Sequence, residues 1–421
     1  MHSPYYYEYS NLFILSFFHA SAGEHELSPQ KGQDMRIIFD RSTVIAAVTP
    51  LMCAVSNKNT LPAIEGILMR TVPGGIEMTT FDLEKGVRLF CSAEVLEEGY
   101  IILNAQKFYA TIRAMGGRQI ELVVDKNLGA TILSGSSSYQ MQAMRGEDFP
   151  GMPVLESERS FLLPQGILRA LINQTAFAVA VNDQRAALNG CFFRVTEGQL
   201  LLVGCDSFRL AKCSADISIE NLSADGRALD FSFIIPGKTL AELIRFLDDK
   251  TEGDELPEVR VYLTRKHVIF RFDELTLFSR IIDSEYLDYN RVLSGSDANH
   301  ATLDRQELLG ALERATLVTE EKVVGAVRSW VKLTFGGPKL EISSISSTGR
   351  IYDEVENYYY GEPIEIGFNN RYLIDTLRAC TAERVTLSLT SPLMRMVVEP
   401  AEDEATLTDQ VFMVVPVRMH D

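Results

Sequence analysis

Apolar positions along this chain fall into two rhythms that alternate three times. One is helical, with apolar residues at i, i+3, i+4 and i+7; the other is the short apolar run or period-two alternation of β-strands. Helical stretches begin near Asp40, Pro164 and Asp304. The first carries Val44, Val48, Leu51, Met52 and Val55 on one face, and the second carries Leu168, Leu171, Ile172, Ala176 and Val179. The third carries Leu308, Leu312 and Ala315. After each comes a strand-like run, a glycine turn and another strand: 67–72 with Gly74-Gly75, 192–195 with Gly198, and 330–335 with Gly336-Gly337. Glycine between two β-favouring runs predicts a hairpin, because it alone takes a positive φ without steric cost.

A second helical stripe follows in each third of the chain. Phe108, Thr111, Ile112 and Met115 share the spacing, as do Leu240, Leu243, Ile244 and Leu247, and Leu373, Thr376, Leu377 and Cys380. The copies are offset by 132 and 133 residues, and each has an arginine at i+5: Arg113, Arg245 and Arg378. At about 100° per residue this position lies well off the buried face. Any one of these arginines reads as a solvated surface residue; three at one phase point to a shared role.

The two helices of each third start 64, 72 and 65 residues apart (40 to 104, 164 to 236, 304 to 369). Each third is therefore two similar halves of β-α-β type, and the chain is an α+β protein of three repeated units. The expected boundaries are an extension at 1–34 and units at 35–153, 154–290 and 291–421. Sheet edges of neighbouring units can pair. If the last free edge meets the first edge of another copy, head to tail, the array closes into a ring.

A length of 421 residues accommodates three such units. The net charge of −17 argues, taken alone, against a protein that grips nucleic acid by neutralising phosphate. Six cysteines (Cys53, Cys91, Cys191, Cys205, Cys213, Cys380) show no CxxC spacing and do not cluster with the six histidines, so buried, reduced thiols are expected. No spacing suggests a Ser/His/Asp or Cys/His set or a metal site, so neither catalysis nor a cofactor is expected. Pro236-Gly-Lys-Thr239 looks like the end of a phosphate-binding loop, but the required glycine is absent: position 232 is Ser. Gly135-Ser-Ser-Ser138 reads as a turn, the Asn173-Gln-Thr175 sequon falls within a helix, and Tyr358–Tyr360 among Asp353, Glu354, Glu356 and Glu362 reads as a solvated acidic loop. The apolar run at 11–18 mimics a secretory signal, but no Lys or Arg precedes it, so a start at Met35 is expected.

With the repeat in place, a set of short motifs gains meaning. Thr60-Leu-Pro62, Thr80-Phe-Asp-Leu-Glu84, Asp148-Phe-Pro150, Leu188-Asn-Gly190, Asp206-Ser-Phe-Arg-Leu-Ala211, Asp288-Tyr-Asn-Arg-Val-Leu293, Ile366-Gly-Phe-Asn369 and Val415-Pro-Val-Arg418 occur in order across about 387 residues. In this combination the chain resembles the beta subunit of bacterial DNA polymerase III, the sliding clamp family.

The resemblance implies a head-to-tail homodimer ring, with twelve helices inside and sheets outside. It would encircle duplex DNA without reading sequence, in the bacterial cytoplasm at the nucleoid. Topology would hold such a ring on DNA, so an acidic exterior and a modestly basic lining suffice. The DNA-facing surface is expected to carry Lys58, Lys107, Arg113, Arg185, Lys238, Arg245 and Arg378, of which Lys58, Arg185 and Lys238 stand where the family places basic residues. Gln106, Ser136, Ser138 and Gly237 stand where relatives are basic, which implies weaker contact. A pocket for partner peptides, from the polymerase III catalytic subunit, the clamp loader and other DNA-acting proteins, maps to Leu188, Ser207, Phe208, Arg209, Leu210, Leu287, Arg291, Val292, Val323, Tyr372, Leu393, Val415, Pro416, Val417 and Arg418. Leu287 replaces a proline there, and Val323 a larger aromatic residue. Tyr139 and Met141 would meet Leu317 and Val318 of the other subunit.

Overall fold

The computed structural model describes residues 34–56, 61–155, 157, 159–224, 226–253, 255–295, 298–319, 330–346 and 349–419. The calls on residues 1–33, Lys58 and Val323 lie outside that set. The first unit begins with β1 (Met35–Asp40), α1 (Arg41–Leu51), β2 (Gly66–Val72), β3 (Gly75–Phe81) and β4 (Lys85–Ser92). After the short β5 (Glu94–Glu97), its second half repeats the plan with β6 (Tyr100–Asn104), α2 (Ala105–Ala114), β7 (Gln119–Val124), β8 (Gly129–Ser134) and β9 (Ser137–Gln142). β10 (Met144–Arg145) starts the connection to the next unit.

The second unit runs β11 (Ser160–Pro164), α3 (Gln165–Thr175), β12 (Gly190–Thr196), β13 (Gln199–Cys205) and β14 (Arg209–Asp216). Its other half is β15 (Asp230–Pro236), α4 (Gly237–Leu243), β16 (Glu258–Leu263), β17 (His267–Arg271) and β18 (Leu275–Arg280). A short helix, α5 (Tyr289–Leu293), leads into the third unit. That unit comprises β19 (Asn299–Asp304), α6 (Arg305–Thr319), β20 (Trp330–Phe335), β21 (Lys339–Ile345) and β22 (Arg350–Tyr360). It ends with β23 (Ile364–Asn369), α7 (Asn370–Ala379), β24 (Arg384–Leu389), β25 (Met396–Pro400) and β26 (Asp409–Val414).

The halves interlock. In the first unit β1 pairs with β7 of the other half, while β6 pairs with β2. In the first two units each long helix therefore carries the chain from one sheet to the other, while in the third β22 pairs with both β19 and β21 and joins the two halves into one sheet; every named ladder is antiparallel. The predicted helix starts hold, for identifiable reasons. Carboxylate or amide side chains cap four of them: Asp40 accepts from the Thr43 N–H at 3.0 Å, Asn104 from Lys107 at 3.1 Å, Asp304 from Glu307 at 2.8 Å, and Asn369 from Arg371 at 3.0 Å. The two helices of the second unit instead follow Pro164 and Pro236 and have no side-chain cap.

An arginine from the first helix of every unit closes the C-terminal end of the second-helix segment. Arg41 donates to the carbonyls of Ile112 and Arg113 (3.1 and 2.7 Å), Arg169 to Leu247 (2.6 Å), and Arg305 to Leu377 and Ala382 (3.1 and 2.6 Å). A cation there satisfies orphan carbonyls and complements the helix dipole. One expectation changes in extent: α4 stops at Leu243, and Arg245, Phe246 and Leu247 continue as tight turns whose N–H groups bond Glu242 and Leu243. Another is corrected: Tyr358–Tyr360 is not a loop but the end of β22, paired with β19.

Units join through shared sheets. β4 pairs with β18, placing Gly86 opposite Phe278, and β14 pairs with β26 from Arg209↔Val414 to Ser214↔Asp409. A Cβ on Gly86 would come within 2.2 Å of the Phe278 ring, so this ladder requires glycine. Both junctions follow one rule: the last strand of one unit's first half meets the last strand of the next unit's second half. By that rule the strands left over are β22 and β9. β9 is a sheet edge, paired only with β8 in its sheet.

Candidate functional site

Between the second and third units lies a cleft of about 870 Å³. Its floor is one small core cluster, in which Leu188, Leu201, Val203, Cys205, Leu210 and Met413 are buried. Strand alternation on β13, β14 and β26 turns these side chains to one side, away from the helix-covered core. The walls come from turns: 185–188 after α3, 205–207 after β13, 284–287 before α5, and 393–395 before β25, with Val415 beyond β26. Ser207 holds a positive φ of 80°, and the Asp206 carboxylate accepts the N–H groups of Phe208 and Arg209 (3.0 and 2.9 Å), which fixes the 205–209 turn.

Of the residues expected at a peptide pocket, Leu188, Ser207, Leu287, Val292, Leu393 and Val415 line this cleft together. Leu210 packs beneath it. Phe208, half-exposed, stacks on Tyr372 with ring centroids 6.1 Å apart. Arg209 sits between the units: Nε is 2.9 Å from Asp206, Nη1 is 2.7 Å from Asp375 of α7, and the guanidinium lies over the Tyr372 and Phe177 rings. Arg291 and Arg418 are exposed, while Pro416 and Val417 are half-buried. The Val417 N–H donates to the Gly367 carbonyl at 2.8 Å, so the C-terminal segment leaves the cleft along β23.

Sequence reading missed several lining residues: Ala186, Ala187, Cys205, Tyr286, Met394, Arg395 and Met413 among them. Met413 was legible in principle, as the alternate partner of buried Phe412 and Val414 on β26. Arg395 was not. Its guanidinium donates to the carbonyls of Val292, Leu293 and Ser294 (3.1, 2.7 and 3.2 Å), tying the end of α5 to the third unit. The Tyr286 hydroxyl donates to the Val203 carbonyl at 3.0 Å, and burial raises its pKa. Burial also raises the Cys205 thiol, which stays neutral at pH 7.

The cations expected to face DNA separate into two groups. Lys107, Arg113, Lys238, Arg245 and Arg378 lie on the second helices or just past their ends. Arg245 is 3.1 Å from Glu242 and Arg378 is 2.8 Å from Glu313, so carboxylates partly offset both, while Arg113 stacks over Tyr109. Arg185 stands apart, at the rim of the cleft, paired with Asp183 and hydrogen-bonded to Ser207. Tyr139 and Met141 lie on β9, on the face continuous with core residues Ile132 and Ala130. Leu317, 81% exposed, and the half-buried Val318 lie in the last turns of α6. All six cysteines are free thiols, and among the described residues no group of three His, Cys, Asp or Glu could hold a metal ion. Nor is any described helix long and apolar enough to cross a membrane.

Comparison with known proteins decides the family. Residues 35–153, 162–288 and 290–415 match the N-terminal, central and C-terminal domains of the DNA polymerase III beta subunit. The chain belongs to that family. It is 29% identical to the beta sliding clamp of Halalkalibacterium halodurans over 384 residues, covering 89% of this chain and 98% of the relative. The crystal structure of the DNA polymerase sliding clamp from Bacillus subtilis superposes with a TM-score of 0.82 at 25% identity, covering 92% of this chain and all of that one. A Pseudomonas aeruginosa sliding clamp bound to griselimycin gives 0.79 at 26% identity, covering 91% and 100%. The threefold α+β architecture is the clamp fold, and the chain is a DNA sliding clamp, a non-catalytic processivity factor.

Proposed function

We propose that two copies of this clamp close head to tail around duplex DNA and hold the polymerase III catalytic subunit, the clamp loader and other DNA-acting proteins through the cleft between the second and third units. The observation that carries the reading is the pairing rule of the sheets. Two junctions within the chain obey it, and β9 and β22 are the two strands it leaves for a second copy. Tyr139 and Met141 on β9 would then meet Leu317 and Val318 of the other subunit. Closure would place six long helices per copy toward the centre, with Lys107, Arg113, Lys238, Arg245 and Arg378 near phosphate. Arg185 supports a role at the cleft rim as well as near DNA. Such a ring works at the nucleoid in the cytoplasm.

Aliphatic walls of Leu188, Leu287, Val292 and Leu393 suit the apolar anchors of a short peptide, and exposed backbone on the turns would orient it. Deleting residues 415–421 tests the assignment of surfaces. The variant is expected to lose stimulation of the polymerase while remaining a dimer in sedimentation. Loss of the dimer, or retained stimulation, would place the C-terminus on the wrong surface.

A further inference from the structure

The sheet shared by the first and second units carries a cationic face that the chain's net charge of −17 does not foreshadow. Helices cover one side of this sheet through Val87, Val259, Val261, Val268, Phe270 and Leu277. By strand alternation the opposite side carries Arg88 on β4, Thr276 on β18, Arg271 on β17 and Arg260 on β16, each directly across from the next in register. The next outward row, Phe278, Ile269 and Tyr262, is buried beneath Phe149, Met152 and Leu155 of the connection between the units. Beyond it, Arg280 stands directly opposite His267. The exterior is thus not uniformly acidic.

Two features set this row apart from an ordinary solvated face. Arg260 and Arg271 are opposed across one ladder, and like charges so placed destabilise a sheet. Their contacts are with neutral groups. Arg260 donates to the Ser160 hydroxyl at 3.2 Å and lies over the Tyr262 ring, and Arg271 donates to the Tyr262 hydroxyl at 3.4 Å. Among the described residues no carboxylate is within ion-pair distance of Arg260, Arg271 or Arg280, and only Glu77, 3.7 Å away, approaches Arg88. The Nε atoms of Arg88 and Arg260 are buried without a hydrogen-bond partner. Arg260 and Arg271 are held in place by neutral groups with no described carboxylate to offset their charge, and Arg88 has only the distant Glu77.

We propose that this outer face docks an acidic polypeptide segment of a partner protein, its carboxylates bridging Arg88, Arg271 and Arg260. The row crosses three inter-strand spacings, about 14 Å, which an extended segment covers in four or five residues with acids at alternate positions. Nucleic acid fits less well. Single strands bind by stacking bases on exposed rings, and the aromatics packed beside the row, Tyr262, Phe278 and Phe81, are each less than 10% exposed, with Phe90 next to Arg88 half-buried.

The test is fluorescence anisotropy of a labelled peptide of about ten alternating Glu and Ser residues with the full chain at low salt, beside a Gln/Ser counterpart and an oligothymidylate of similar charge. The Glu peptide should bind and the Gln peptide should not. Arg260→Gln/Arg271→Gln should weaken binding about tenfold, while Arg194→Gln, on a different sheet, leaves it unchanged. Arg271→Gln alone, at an exposed position, should weaken binding without lowering Tm, since it relieves a like-charge pair. Absence of Glu-peptide binding, binding that ignores the two arginines, or an oligothymidylate that uses them more tightly would each overturn the proposal.

Discussion

Replacing Arg209 with alanine probes how the cleft is held between two units. The guanidinium joins Asp206 in the second unit to Asp375 in the third, and the three side chains are only 13%, 14% and 18% exposed. Removing one partner of a buried ion pair costs about 3–5 kcal/mol, because the remaining charge is left without compensation. Here Asp375 keeps Arg371 at 3.2 Å, and Asp206 keeps two backbone N–H donors. Those groups pull the cost toward the lower end, and the lost contacts over Tyr372 and Phe177 push it back by about 1 kcal/mol. The expected loss is about 3 kcal/mol, which lowers Tm by roughly 6–12 °C for a cooperative unit of about 250 residues. Calorimetry of wild type, Arg209→Ala, Asp375→Asn and the double variant should give a coupling of about 1.5 kcal/mol. Arg209→Lys should fall between, since an ammonium cannot serve both carboxylates and stack on the rings. A Tm within 2 °C of wild type, or additive single changes, would refute the idea that this arginine fastens the units together.

Two other expectations concern different parts of the molecule. Gln140→Pro, in the middle of β9, removes a donor from a sheet edge and should shift sedimentation from dimer to monomer while circular dichroism stays unchanged. His267 has its pKa lowered by burial and by the nearby Arg280 and Lys266 charges. The unfolded chain therefore takes up this proton first as pH falls through about 6.5, and the clamp loses stability from there down to the lower folded-state pKa. The urea midpoint should drop between pH 7.5 and 5.5, and His267→Gln should flatten that drop.

Much of this architecture could be read from the amino-acid pattern, because the repeated elements each bury one clean face. The stripe at Phe108, Thr111 and Ile112 and its copies at Leu240 and Leu373 are buried as expected, apart from Ile244, which is half-buried where α4 gives way to turns. What escaped was set by partners distant in sequence. Nothing local says that β4 pairs with β18, or that Arg41, Arg169 and Arg305 close a helix some 70 residues away. β22 reads as a loop because its inward positions include the polar Asp353 and Asn357 and its outward ones are Tyr352, Glu354, Glu356, Tyr358 and Tyr360, leaving only Val355 and Asn357 buried and no apolar alternation to see. The cleft was legible only through family resemblance. Leu188 and Leu210 read singly as core, which they also are, and Arg395 acts through carbonyls that no side-chain pattern reveals. The cationic outer face was hidden by the net charge, which averages over all surfaces.

We propose that topology, not affinity, keeps this clamp on DNA. Protein loaded on nicked circular DNA should remain bound through a high-salt wash and be released when the circle is cut to a linear form. Release by salt alone, with no dependence on linearisation, would contradict encirclement and return the cations of the helices to ordinary phosphate binding.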